Sequence, residues 1–283
     1  MPVIAFNKKE FTELNRHKCR EIYYLDFDGI SIILGEKNGE FLSPFSAPFG
    51  GFSSLQKRPS LEMMENACEK LYEWLREKNK KCHITLPPPI YGESFVSQSF
   101  FCLRNRGFSV EYSDLNYSLD LSKSLQPKPK YCRDLKTALK EPLIFKECEN
   151  DIERRIAYDI IDKNRKERGY PPHLSFEELQ ETAKVCKVDS FLLYFNDAPV
   201  AGAFVYQTTR EIAQLILWGD NREYSKKRPM NLFAMRIAEH CKNQNFSYFD
   251  LGPSSKNGIP NHGLCRFKTN MGCEITLKHT LSL

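Results

Sequence analysis

The chain has 283 residues, of which 41% are hydrophobic, and its formal net charge is +5 at pH 7. A chain of this length is too long for one small domain and fits two domains of roughly 130–150 residues or one large domain. The mild excess of basic residues allows an anionic ligand, but it does not by itself indicate a nucleic-acid-binding protein. Most basic residues stand beside Glu or Asp in helical stretches, which is typical of solvated faces.

The ten cysteines occur singly between Cys19 and Cys273, with no Cys-x-x-Cys motif and no Cys/His grouping of zinc spacing. The first residues show no signal-peptide pattern, and the apolar runs are only as long as strands. We therefore expect reduced thiols, no metal site, no membrane span and a cytoplasmic location. The motifs HExxH, GxxxxGK and GxSxG are missing from the sequence, so nothing indicates a zinc protease, a P-loop or a Ser-His-Asp hydrolase.

The first half of the chain predicts strands joined by tight turns, followed by helices that alternate with further strands. Asp28-Gly29 and Asn38-Gly39 are strong signals for two-residue hairpins. The predicted strands are 22–27, 30–35, 41–42, 82–86, 107–112 and 116–121, and the predicted helices are 59–79 and 94–105. The Pro- and Gly-rich stretch 43–52 predicts a loop with three exposed Phe side chains.

The second half repeats this alternation after a polar, Pro-containing stretch at 122–130, which predicts domains at 1–125 and 126–283. Asn150 is a good helix N-cap, and Ser175 opens a capping box. The predicted strands are 143–148, 190–195, 200–206 and 212–218, and the predicted helices are 132–140, 150–167, 175–186 and 230–243. The stretch 219–229 predicts a polar, basic loop.

Polar groups concentrate in the stretch 246–273. An aromatic strand ends at Asp250, glycines and prolines then force a loop, and residues 263–271 predict a short helix that ends at a left-handed cap on Gly272. A last strand is predicted at 273–280. An acid at the end of a strand, a polar loop and a Lys on the next helix form a candidate site. The alternative is an ordinary strand–loop–helix connection.

The order of strands and helices from residue 143 onward repeats the order from residue 22 onward. The first copy lacks the strand and two helices with which the second copy begins. This order resembles the GNAT N-acyltransferase fold, present twice in tandem. The Phe267-Lys268 pair, after a strand that ends in Asp-Leu-Gly, is similar to the Fem-type peptidyltransferases and their GNAT-like relatives, and the stretch 43–51 resembles a loop in their first domains. The resemblance implies an α/β (α+β) fold of two tandem GNAT-like domains, each a mixed, largely antiparallel sheet flanked by helices.

The resemblance also implies an N-acyltransferase that moves an acyl or aminoacyl group from acyl-CoA or aminoacyl-tRNA to an amine. Its catalytic candidates are Lys268, expected to be solvent-reachable and to stabilise the reacting carbonyl, and Asp250, as proton acceptor or holder of the loop. The donor-binding candidates are Phe267, Trp218, Arg222, Lys227, Arg228, Asn231, Ser254, Ser255 and Asn257. The acceptor-binding candidates are Ser46, Phe49, Gly50, Gly51 and His262.

Other interpretations stay open at this point. The stretch 219–229 lacks the spaced glycines of the coenzyme A signature, and the chain lacks the charged coiled-coil hairpin that some Fem-type members use with tRNA. The main alternative is therefore a GNAT-like protein that binds a ligand without catalysis. An RNA-binding protein would need clustered Lys and Arg among exposed aromatics, and the sequence shows no such run. Phe267 is equally consistent with a core position, a Trp at the position of Trp218 is more often a core residue than a ligand-stacking one, and a lone loop His such as His262 is more often simply exposed.

Overall fold

A computed structural model describes residues 4–56, 58–170 and 174–283. The chain forms two compact units that alternate along the sequence. Unit 1 comprises Met1–Asn116, Pro253–Pro260 and Thr276–Leu283, and unit 2 comprises Tyr117–Gly252 and Asn261–Ile275. The first passage from one unit to the other, between Asn116 and Tyr117, therefore lies before the boundary predicted near residue 125, and the last residues of the chain group with the first unit.

The secondary structure alternates strands with helices throughout. The helices are α1 (Lys9–Leu14), α2 (Leu61–Lys78), α3 (Glu93–Asn105), α4 (Pro129–Ala138), α5 (Asp151–Glu167), α6 (Phe176–Ala183), α7 (Pro229–Asn243) and α8 (His262–Met271). The strands are β1 (Glu21–Phe27), β2 (Ile30–Lys37), β3 (Glu40–Ser43), β4 (Phe52–Ser54), β5 (Cys82–Thr85), β6 (Ser109–Asp120), β7 (Leu143–Glu147), β8 (Val188–Phe195), β9 (Ala198–Gln207), β10 (Ile212–Asp220), β11 (Tyr248–Pro253), β12 (Ser255–Lys256), β13 (Ile259–Pro260) and β14 (Glu274–Ser282).

In unit 1, the strands run in the order β1, β2, β3, β5 and β14. The β3–β5 pair is parallel, and the other pairs in this series are antiparallel, with β4 pairing on β2. Asp28 and Gly29 both have positive φ, as the predicted tight hairpin requires. Helices α2 and α3 pack on the apolar face of these strands through a core in which Phe41, Leu71 and Leu103 are fully buried.

In unit 2, β7, β8, β9 and β10 are successive antiparallel neighbours, and β11 adds in parallel to β10. Phe191 of β8 contacts the ring of His240 on α7. Gly202 of β9, which pairs with the next residue of β8, lies against Ala157 of α5. Because side chains alternate between the faces of a strand, α5 and α7 cover opposite faces of this sheet. The predicted class of mixed, largely antiparallel sheets flanked by helices is therefore confirmed.

Some local predictions are confirmed and others are wrong. The Asn150 cap and the Ser175 capping box both form. The two strands predicted at 107–112 and 116–121 are one strand, β6, which runs from Ser109 to Asp120. The stretch 252–260 contains a small hairpin, β12–β13, around Asn257 and Gly258, which both have positive φ. Within the described residues, no helix is both long and apolar enough to cross a membrane.

Candidate active site

The centre of the candidate site in unit 2 is the place where β10 and β11 stop pairing. The two strands pair in parallel at three positions, of which the last joins Gln214 to Asp250. Strand β10 runs on to Asp220, and its ladder with β9 is irregular between Leu215 and Leu217. A bulge of this kind bends a strand and re-aims its side chains. The branch between β10 and β11 can therefore offer backbone groups to a bound molecule.

Asp250 fixes the geometry of this branch and has no exposed surface. Its carboxylate accepts hydrogen bonds from the backbone N–H of Gly252, at 2.9 Å, and from Nε2 of Gln214, at 3.0 Å. Gly252 has φ +73, a left-handed conformation that glycine adopts without a Cβ penalty. These contacts are those expected of a residue that holds the loop. The proton-accepting role of Asp250 stays a prediction.

Helix α8 carries the Phe267-Lys268 pair, and both of its ends follow from the local sequence. The side chain of Asn261 caps the first turn by accepting from the N–H of Leu264 at 3.1 Å. Gly272 ends the helix with φ +97, as the sequence predicts. The helical spacing then points Lys268 and Met271 inward, and both are buried.

The expectation that Lys268 is reachable by solvent is wrong, since 1% of the residue is exposed. Its ammonium donates to the carbonyl oxygens of Leu251, at 2.8 Å, and Gly252, at 2.9 Å, and lies 5.6 Å from the ring centroid of Tyr117. Burial lowers the pKa of Lys268 to about 8, and the neighbouring Cys273 and Asp250 partly oppose this decrease. The interior therefore holds a cation that stays mostly protonated at neutral pH, directly beside the end of β11.

Phe267 lies between two other aromatic side chains. Its ring is 5.8 Å from that of Trp218 on β10 and 5.7 Å from that of Tyr131 on α4, with edge-to-face geometry in both pairs. Tyr131 is buried, and its hydroxyl donates to the carbonyl oxygen of Asn231 at 2.7 Å. Phe267 and Trp218 are half-buried, so each combines a packing role with a surface that a ligand can contact.

A cavity of about 170 Å³ opens beside this aromatic group in unit 2. Three of the predicted donor-binding residues, Arg228, Asn231 and Phe267, line it together. The remaining lining residues are Lys130, Tyr131, Asp134, Gly263, Arg266 and Asn270. Sequence reasoning missed Lys130, Tyr131 and Asp134 because α4 lies far along the chain from α7 and α8, and it missed the three residues of α8 because their direction depends on how that helix packs. The basic stretch 128–140 was visible in the sequence, but its packing against α7 and α8 was not.

The other donor-binding candidates lie elsewhere. Arg222 is exposed on a short 3-10 helix, Arg222–Lys227, which replaces the irregular loop predicted at 219–229. The ammonium of Lys227 lies 2.8 Å from a carboxylate oxygen of Glu141 and 4.7 Å from the ring centroid of Phe195. Lys227 is therefore engaged in holding the segment that leads into α7.

The candidates Ser254, Ser255 and Asn257 belong to unit 1 and its β12–β13 hairpin. Ser254 is buried, and Asn257 is exposed at the turn. The hydroxyl of Ser255 donates to the carboxylate of Asp114 at 2.6 Å, and the same carboxylate oxygen accepts from the N–H of Gly258 at 3.1 Å. Asp114 thus fixes the turn of the hairpin.

The acceptor-binding candidates of unit 1 form a tightly packed loop. Ser46 donates to Oδ1 of Asn15 at 2.9 Å, and the N–H of Gly51 donates to the hydroxyl of Ser43 at 3.0 Å. A Cβ on Gly50 would lie 2.7 Å from that same hydroxyl, so the close approach requires glycine. His262, the remaining acceptor candidate, belongs to unit 2 and is exposed at the start of α8.

The prediction of three exposed Phe side chains at 43–52 is wrong for Phe49 and Phe52, which are buried. The ring of Phe49 packs 5.3 Å from that of Phe6 and 4.5 Å from that of Tyr91. The residues before β1, for which the sequence predicted no element, supply Phe6 and so cover this loop. Phe49 therefore stabilises the loop by packing into the core of unit 1 and does not present its ring to solvent.

Comparisons with known proteins agree with this geometry. Residues 157–268 match the family model described as "Acetyltransferase (GNAT) domain". FemX has the same fold, with a TM-score of 0.69 and 9% identity over 98% of this chain and 91% of that chain. The C-terminal domain of a putative lysylphosphatidylglycerol synthetase from Agrobacterium fabrum gives a TM-score of 0.66 with 12% identity over 99% and 89% of the two chains.

L-PGS from Bacillus licheniformis is similar as well, with a TM-score of 0.63 and 11% identity over 92% of this chain and 83% of that chain. No significantly similar sequence was found among curated proteins. The predicted resemblance to GNAT and Fem-type proteins is confirmed for the fold, with a GNAT domain model matched in the half that carries Lys268.

Proposed function

We propose that this protein is an N-acyltransferase that moves an acyl or aminoacyl group from an activated thioester or ester donor to an amine. The observation that carries the proposal is the buried ammonium of Lys268, held 2.8 Å from the Leu251 carbonyl where β10 and β11 branch. A fixed positive charge in a water-poor site is the feature that stabilises the oxyanion of acyl transfer. The match of residues 157–268 to the GNAT domain model supports the same chemistry.

In the proposed reaction, the amine nitrogen attacks the carbonyl carbon of the donor. A C–N bond forms, the C–S or C–O bond to the carrier breaks, and the leaving thiolate or alkoxide takes up the proton that the amine loses. Lys268 contributes electrostatically to the tetrahedral oxyanion, and a pKa of about 8 keeps most of its ammonium protonated at pH 7. Phe267, the neighbour of Lys268 in α8, and Trp218 offer half-buried aromatic surface to the donor, and Asp250 keeps the Leu251–Gly252 segment in place.

The alternative is a GNAT-like protein that binds an activated ligand without transferring its acyl group. One observation favours it: the Lys268 ammonium already donates to two backbone carbonyls. A reacting carbonyl must share this cation with them. The two functions differ in whether an amine causes the carrier to be released from a bound donor.

The test uses two donors, acetyl-CoA and an aminoacylated RNA minihelix, each with a set of small primary amines. Binding at 100 times the dissociation constant stabilises the native state by about 2.7 kcal/mol, so thermal unfolding identifies the donor first. Mass spectrometry then detects the amide product and the free carrier. Amine-dependent release supports the transferase, and binding without release for every amine supports the alternative. No stabilisation and no release with either donor would contradict both.

A further inference from the structure

Helices α2 and α3 of unit 1 pack on each other in a register that two side-chain contacts define. The hydroxyl of Ser99 on α3 lies 3.9 Å from the sulfur of Met64 on α2. Further along both helices, Arg106, directly after α3, forms an ion pair with Glu69 of α2. Residue numbers rise together on the two helices, so α2 and α3 run in the same direction. The side chains that meet between these contacts are therefore close neighbours from two separate helices.

Two thiols meet in this interval. Cys68 of α2 and Cys102 of α3 are within hydrogen-bonding distance of each other. Both belong to the core of unit 1, with 0% and 1% of their surface exposed. Arg106, whose side chain is 42% exposed, acts on the charge of both thiols, so the pair lies close beneath the surface. Two sulfurs that already touch need only a small further approach to form a bond.

The two thiols are not equivalent. Burial raises the pKa of both, and the rise is larger for Cys68. The guanidinium of Arg106 partly opposes this rise at both sulfurs, whereas the carboxylate of Glu65 adds to it. Cys102 is therefore the thiol that ionises more readily, and the thiolate is the form that an oxidant attacks. Cys68 is the neighbour in position to capture the oxidised sulfur.

We propose that Cys68 and Cys102 form a reversible disulfide that locks α2 to α3 when the protein meets a peroxide. The thiolate of Cys102 attacks one oxygen of hydrogen peroxide, the O–O bond breaks, and a sulfenic acid and one water result. The sulfur of Cys68 then attacks the sulfenic sulfur, the S–S bond forms, and a second water leaves with the thiol proton. The pair loses two electrons and two protons, and the peroxide is reduced to two waters. The inference goes beyond the proposed acyl transfer and does not rest on it.

The disulfide connects two helices that the chain joins only through β5 and the loops beside it. A crosslink of this kind restricts the unfolded chain, here by closing the segment 68–102. The oxidised protein should therefore resist thermal unfolding better than the reduced protein. A third cysteine of the same core, Cys82 of β5, provides a comparison. Burial alone acts on the pKa of its thiol, which has no thiol partner in the described part of the chain.

The test treats the folded full chain with a small excess of hydrogen peroxide, blocks the remaining thiols with N-ethylmaleimide in urea, and digests the protein without reductant. Mass spectrometry should find the peptides of Cys68 and Cys102 joined with the loss of two hydrogens, and dithiothreitol should separate them. The oxidised parent should unfold about 5–10 °C above the reduced parent. Cys102→Ala should lose this shift. The matched control Cys82→Ala, which replaces a buried thiol of the same core, should keep it.

A crosslink between Cys68 and Cys102 that raises the unfolding temperature supports the inference. Peroxide treatment that leaves both thiols open to the blocking reagent, or that joins cysteines without preference, would overturn it. So would a crosslink that lowers the unfolding temperature, because the two helices would then not be arranged for the bond. The crosslink is measured in the parent protein, so this outcome does not depend on how well the alanine variants fold. Acyl transfer is not measured, so its presence or absence leaves the result unchanged.

Discussion

Lys268 of α8 donates a 2.8 Å hydrogen bond to the carbonyl oxygen of Leu251, 17 residues earlier in the chain. With the second bond, to Gly252, it ties α8 to the end of β11. Removing a charge of this kind differs from removing a surface charge, because the ammonium is desolvated and its acceptors are buried. The same side chain therefore affects folding stability and reactivity together.

Lys268→Met should lower the free energy of unfolding at pH 7 by about 1–3 kcal/mol, because two buried carbonyl oxygens lose the ammonium as their donor. Met keeps the length and the apolar stem of the side chain, so packing changes little. Urea denaturation followed by circular dichroism measures the difference. The control, Lys242→Met, removes an exposed Lys from α7 and should stay within about 0.5 kcal/mol of the parent. Equal stability of the two variants would show that the Lys268 bonds do no more than offset the cost of burying the ammonium.

The pH dependence of stability provides an independent test of the burial of Lys268. The pKa is about 8 in the folded protein, lowered from 10.5 mainly by burial. Between these values the unfolded chain binds more protons than the folded chain, so the free energy of unfolding rises with pH in this window. The cost of burying the charged Lys268 is fully present below pH 8 and has disappeared by pH 10.5. It lowers the free energy of unfolding by about 3 kcal/mol.

The measurement is the difference in unfolding free energy between the parent and Lys268→Met at pH values from 7 to 10.5. Other titrating groups, such as the buried thiols, are common to both proteins and cancel. The parent should gain stability relative to the variant as the pH rises. A difference that does not change with pH would mean that the ammonium is solvated, contrary to its 1% exposure.

The sequence predicted the features that depend on neighbouring residues. The hairpin at Asp28-Gly29, the cap on Asn150 and the α8 helix with its end at Gly272 are each specified within a few residues, and all three form. The turn at Asn257-Gly258 carries the same signal as the other hairpins, so β12–β13 could have been found in the same way.

The features that the sequence did not reveal depend on contacts between distant segments. Lys268 looked like a surface residue, because its burial follows from how α8 docks on the end of β11. Phe49 looked exposed, because Phe6 covers it from a segment with weak local signals. Arg266 and Lys130 meet in one cavity, although more than a hundred residues separate them in the sequence. The pattern of neighbouring residues in the sequence carries no information about such long-range contacts.

The two ends of α8 should respond in opposite directions to the same substitution. Gly272 has φ +97, and a Cβ there would lie 2.9 Å from the carbonyl oxygen of Gln126. Gly272→Ala should therefore lower the free energy of unfolding by at least about 1–2 kcal/mol. Gly263 lies in the first turn and has room for a Cβ, so Gly263→Ala should raise it by up to about 1 kcal/mol. Thermal unfolding of both variants tests this, and a shift of the same sign in both would contradict the described geometry.

Arg228→Gly should separate stability from ligand binding at the start of α7. Arg228 has φ +56, a left-handed conformation that costs a non-glycine residue about 1 kcal/mol or more. Its ion pair with Asp134, between half-exposed and partly exposed groups, contributes less than this. Glycine should therefore keep or raise the free energy of unfolding while removing one of the three cations of the cavity.

The measurements are urea denaturation and the affinity for coenzyme A, the RNA minihelix and pyrophosphate. The control is Asn245→Gly, a second left-handed position in unit 2, with φ +63, that does not line the cavity. Asn tolerates this conformation, so the control should change stability by only a few tenths of a kcal/mol and leave affinity unchanged. For Arg228→Gly, we expect equal or higher stability together with weaker binding. A strained backbone conformation is kept in a protein where the side chain at that position contributes to ligand binding. Lower stability with unchanged affinity would assign Arg228 to the fold alone.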